Sequence, residues 1–305
     1  MYPMVKAPPW FGGQMGVPGS DTPLGFRLLP QGVVFYVDPT HPDSLDANDG
    51  TDPMGPKKTI NSALTAAVSG RGDVIVIMPE TYAEDLVVTK NYITLIGALS
   101  SGYGRPDIVG DAAEAIAIHA QGFRAERCRF AAATGFSAVH QQGNGFLFND
   151  CVFDGDGAYD FHLLPDLNDD SYTASEGKIL NSLFRYGTHG LAFANPGTGV
   201  EGGVGSTDNL IQGCRFSQHI TASIQDFMTG VPGVDWSLHD TFIDSCLFVE
   251  TGALFLYIDL SDGALNTGMV SNCCFADADI TGAQVVLPAG VFSINNHDGT
   301  YAAVP

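Results

Sequence analysis

The chain has 305 residues, enough for two ordinary domains or for one elongated repeat domain with a sizeable core. With 34 Asp plus Glu against 13 Lys plus Arg, its formal charge is −21, so its surface repels phosphate backbones and anionic membranes. Neither a nucleic acid nor a membrane is an expected partner, and no apolar run approaches the roughly 18 residues that cross a bilayer.

Residues 1 to 32 read as an extended arm. Prolines at positions 3, 8, 9, 18, 23 and 30 prevent a regular helix, and Trp10, Phe11 and Phe26 are its aromatic anchors. At up to about 3.3 Å per residue the arm would reach on the order of 100 Å. The opening MYPMVKAPPWFGG lacks the charged-then-apolar pattern of a secretory signal, so assembly in a host cytoplasm is expected.

A second segment, 33 to 110, opens with the strand VVFYV. KKTINSALTAAVSG follows as an amphipathic helix, with Ile60, Leu64, Ala67 and Val68 on one face and Gly70 as its stop. DVIVIM and YITLIG are the next strands.

From 111 to 275 one pattern recurs, apolar-x-x-(Cys or Ser)-x-Phe. Its small position is filled by Cys128, Cys151, Ser182, Cys214, Cys246 and Cys273, spaced 23, 31, 32, 32 and 27 residues apart. Such a period marks stacked supersecondary units. Cys and Phe two apart share one face of a strand, and polar pairs such as Asn149-Asp150, Gln212-Gly213 and Ser271-Asn272 before the cysteine suit a bend. A further apolar segment begins soon after most of the Phe positions. Strand, bend, strand, strand per repeat predicts an all-β fold, a parallel β-helix with ladders of like residues inside. The cysteines are then buried, reduced core thiols, because Cys-x-x-Cys pairs are absent and Ser182 interrupts the column. Residues 276 to 305 are assigned to a C-terminal cap.

FYVDP, NDGTDPMGPKKTINSALTAA, GDVIVIMPETYAEDLVV and NYITLIG resemble the entry segment of right-handed parallel β-helix proteins of the pectate-lyase-like superfamily. The resemblance spans about residues 33 to 275 and implies that the helix covers the open end of the coil. It says little of function, since that superfamily includes polysaccharide lyases, glycoside hydrolases, phage tailspikes and inert virion proteins.

The longest insertions, 164 to 177, 194 to 209, 225 to 241 and 259 to 268, should gather along one side, the expected place for a site. NDD (168 to 170) and THG (188 to 190) are similar to polygalacturonase motifs. They nominate Asp150, Asp169, Asp170 and His189 as catalytic, with Arg215 nearby in the pattern. Coil phase separates these residues, so the set is not expected to assemble. Asp166, Asn168 and Asp170 alternate as in a calcium loop, but the Gly and the closing Glu are absent at their expected spacings, and Asp154, Asp156 and Asp160 in DGDGAYD match equally loosely. No metal or other cofactor is expected. His140 and His162 fall at similar phase, and Trp236 suits a sugar or a subunit contact.

The sequence-based expectation is a non-enzymatic structural virion protein of a tailed phage, a head decoration protein held by its arm to the major capsid protein. A homotrimer is expected because GALFLYID is apolar on both faces. The alternatives are a tailspike or polysaccharide-degrading enzyme on the same fold, or a glycan-binding adhesin.

Overall fold

The computed structural model describes residues 32–98, 104–156, 159–163, 174–194, 206–227, 238–249, 256–260, 266–276, 285–297 and 303–304. Among these, three sheets of ten, ten and eight short strands wind as one coil, here named A, B and C in the order the chain meets them. One full turn is Leu147–Asn149 in sheet A, Val152–Asp154 in B and Tyr159–Leu163 in C. The next is Lys178–Leu180, Leu183–Arg185 and His189–Ala194. Every strand pairs in parallel with its counterpart one coil away, except Ala303–Val304, which closes antiparallel on Asn296–His297. All three sheets continue past residue 275, through Val285–Val286, Val291–Ile294 and Asn296–His297.

The repeat states its own geometry. The residue before each small position, from Arg127, Asp150, Asn181, Gly213, Ser245 and Asn272 to Asn295 in the last turn, has φ between 49° and 65°. This left-handed step turns the chain from sheet A into sheet B, and glycine, asparagine and aspartate adopt it most cheaply. The small residue then points inward. Thiols of Cys128, Cys151, Cys214, Cys246 and Cys273 each donate to the carbonyl two residues back at 3.3–3.5 Å. Ser182 does the same through Oγ at 2.7 Å. Two residues later Phe130, Phe153, Phe184, Phe216, Phe248 and Phe275 stack with ring centroids 4.5–6.0 Å apart, as the spine of the core. All six cysteines are free, five of them buried.

The helix Ile60–Ala66 packs on Val34–Val37, Val74–Ile77 and Leu86–Val88 and closes the first coil. Thr59 caps its start, and Glu84 accepts the N–H groups of Ile60 and Asn61 at 2.9 Å. At the other end Lys90 Nζ donates to the carbonyls of Leu64, Thr65 and Ala67 at 2.6–2.8 Å. The helix therefore stops before Gly70. Val68, read from the sequence as part of its apolar face, lies beyond the cap and is exposed.

Candidate functional site

The residues nominated from sequence do not come together. Asp150 lies in the bend from sheet A to sheet B, where Arg105 holds its carboxylate at 2.5 Å. His189 begins a strand of sheet C at another corner, buried and 5.2 Å from the Tyr159 ring. Burial pushes its imidazole down to about 4. Arg215 opens an exposed position of sheet B. Asp169, Asp170, Asp166, Asn168, Trp236, Trp10, Phe11 and Phe26 lie outside the described residues. The long insertions all leave from the ends of sheet C strands. His140 and His162 are in-register neighbours in sheet C, with His140 beside His119. Asp154, Asp156 and Asp160 turn to separate partners, the second of them to Thr134 Oγ1 at 2.8 Å. Among the described residues no three acidic, histidine or cysteine side chains converge as metal ligands.

A different constellation does form, on the outer face of sheet B. Because the central residues of four successive sheet B strands, Ile108, Phe130, Phe153 and Phe184, are buried and point inward, the residues on either side of them point out. In four successive coils these positions supply Asp107, Arg129, Asp154 and Arg185. Arg129 Nη1 meets Asp107 Oδ2 at 2.5 Å, and its Nε meets Asp154 Oδ2. From the far side Arg185 donates to both oxygens of Asp154, at 2.5 and 3.2 Å, and its guanidinium lies 5.0 Å over the exposed Tyr186 ring. The Asp154 side chain is only 7% exposed, while both arginines keep about a third of theirs. Burial pushes the Asp107 carboxyl up, Arg129 opposes it, and the charge of Asp154 adds to it. Two carboxyl groups thus share one guanidinium on the outer face of sheet B.

Behind this row, at the corner into sheet C, lies a third acid. Asp160 accepts the Gly155 N–H on Oδ1 at 2.7 Å, and Oδ2 lies 2.8 Å from His219 Nε2. Both side chains are fully buried. His219 belongs to the coil two turns on, and the coil between carries Gly190. A Cβ there would stand 2.9 Å from His219 Cε1 and 2.8 Å from Phe216 Cδ1, so the glycine makes room for the ring. Burial pushes the Asp160 carboxyl up to about 7, against the pull of His219.

No family model and no curated protein matches the sequence. Solved structures do. A pectin methylesterase from Aspergillus niger is similar with a TM-score of 0.54 at 14% identity, covering 90% of this chain and 92% of that one. An alginate lyase from Paenibacillus sp. gives 0.55 at 15%, covering 78% and 83%. Escherichia coli ybhc gives 0.57 at 10%, covering 89% and 86%. The expectation of a chain that is not an enzyme is corrected by this finding, since the pectin methylesterase and the lyase that share the coil over most of their length are enzymes. The expected phage-coat role gains no support from them. What the likeness establishes is the fold: this chain is a right-handed parallel β-helix.

Proposed function

We propose that the chain is a polysaccharide-acting hydrolase whose catalytic carboxyl groups are Asp154 and Asp107. The observation that carries this reading is the sharing of Arg129 between them on the outer face of sheet B. A hydrolase needs one carboxylate to attack or to activate water, and one carboxylic acid to protonate the leaving oxygen. Asp154, between two guanidinium groups, is placed for the first task. Asp107, whose carboxyl is pushed up by burial, is placed for the second. Arg129 touches both and offsets the charge that develops between them. Stacked coils repeat at about 4.8 Å, so an extended glycan lying along the solenoid would meet the row residue by residue. Likeness to a pectin methylesterase and an alginate lyase makes uronate polymers the first substrates to try.

The test is incubation of the purified chain with pectins of high and low methyl esterification, polygalacturonate and alginate, following methanol, reducing ends and unsaturated products. Methanol, or reducing ends without unsaturated products, should appear with one of them, and Asp154→Asn should lower that rate by about 10²–10⁴-fold, whereas unsaturated products would mean elimination and refute hydrolysis. No product from any polymer, or product formed equally well by Asp154→Asn, would refute the reading.

A further inference from the structure

We infer that Asp160 and His219 are positioning residues for Asp154, a buried clamp that fixes the turn carrying the catalytic carboxylate. This rests on the reading of Asp154 given above. The argument begins with Gly155, the residue directly after Asp154. Its N–H donates to Asp160 Oδ1 at 2.7 Å, and a Cβ at that position would stand 2.7 Å from the same oxygen, so backbone and carboxylate are in close contact. The second oxygen of Asp160 is engaged by His219, so the acid is tied on one side to the Asp154 turn and on the other to a coil two turns away. Parallel strand pairing joins nearest neighbours only. The clamp reaches over the intervening coil through the space that Gly190 leaves, which gives the turn after Asp154 a restraint the ladder of backbone bonds does not supply.

The two ends of the clamp feel the site and its surroundings. The charges of Asp154, at the end of its sheet B strand, and of Arg185, one coil on, interact with that of Asp160, and the charge of His219 with that of His189 at the start of its sheet C strand. Asp160 and His219, fully buried, do not meet substrate. They act through the position of Asp154 between Arg129 and Arg185.

The experiment uses the full chain, with Asp160→Asn and His219→Gln as variants and ¹³C-labelled aspartate carboxyl groups. Three readouts are followed: hydrogen exchange at the Gly155 amide, the titration of the Asp154 carboxyl signal, and kcat against KM on any polymer that is turned over. In either folded variant the Gly155 amide should exchange at least about tenfold faster and the Asp154 titration should shift, with kcat down about 10–100-fold and KM changed less than about threefold. A merely structural pair would lower thermal stability and leave the Asp154 titration in place, and that result overturns the inference. So does unchanged Gly155 exchange in both folded variants. If both NMR signals move but the wild-type chain cleaves none of the polymers, the clamp stands and the proposed hydrolase falls.

Discussion

Asp160 and His189 are displaced from their ordinary ranges in opposite directions, and the signs of their effects on stability oppose each other. Asp160 is raised from 3.8 to about 7, so its contribution is full below pH 3.8 and is lost as pH rises to about 7. His189 is lowered from 6.5 to about 4, so its contribution is present above pH 6.5 and is lost as pH falls through about 4. Across the overlap the two slopes cancel. Asp160→Asn should therefore leave stability climbing between about pH 4 and 6.5, and His189→Gln should leave it falling, each by about 1.4 kcal/mol per pH unit at most. Urea midpoints measured across that range would show it; two variants with the wild-type profile would remove Asp160 and His189 as its source. The acids of this corner were legible in the sequence, since Asp154 and Asp160 stand out in DGDGAYD, though a calcium loop was the chemistry they called to mind. Arg129 and Arg185 were not singled out, because the repeat treats them as the variable places beside Cys and Phe. Their outward columns follow once Phe is placed inside. His219 was harder to see, lying 59 residues from Asp160 and meeting it only through the registration of two coils.

At the scale of the strand and its corner, the sequence periodicity was sufficient for the fold, because Cys and Phe two apart can share a face only in an extended segment. What the period does not state is why the small residue is so often cysteine. The structure supplies the reason: a compact side chain that fills the corner and still donates weakly to the last carbonyl of sheet A. Burial pushes the thiol of Cys151 up to about 12 and raises those of Cys128 and Cys246 strongly. Alkylation of the native protein at neutral pH should modify only the half-buried Cys274, and six thiols should react in denaturant. Modification of two or more column cysteines in the folded state would contradict the burial described. The left-handed corners make a second prediction. Ser245 holds φ 54° with a side chain that favours other conformations, so Ser245→Gly should stabilise by about 1 kcal/mol, less whatever its bond to Asp244 contributes, raising Tm by a few degrees. Phe216→Ala, which opens a gap in the stacked spine, should destabilise by about 3–5 kcal/mol in denaturant titrations. The end of the helix was misplaced from sequence because the apolar pattern runs on to Val68, while Lys90, from a distant turn, takes the terminal carbonyls first.

Over the whole molecule a charge of −21 acts as a diffuse repulsion that opposes the compact state and any polyanion approaching it. Raising sodium chloride from about 10 mM to about 0.15 M shortens the Debye length from roughly 30 Å to 8 Å and should raise Tm. On a polyuronate substrate the same change should lower KM while leaving kcat nearly constant. A KM that climbs with salt would mean that the arginine row, not the net charge, governs encounter. The solenoid itself is largely a chain of nearest-neighbour contacts, in which a whole coil can be gained or lost without disturbing the rest. Most of this molecule is modular in that sense, since cutting between equivalent corners rejoins like to like. The three coils that carry Asp160, Gly190 and His219 are one exception, as are those that Arg105 and Asp150 join across an intervening coil. Deleting the middle one would present His219 to the wrong layer, and duplicating it would carry the ring out of reach. In lineages that lengthen or shorten this solenoid by whole turns, those three coils should pass together as one unit, and recombination should find its tolerated joints on either side of them.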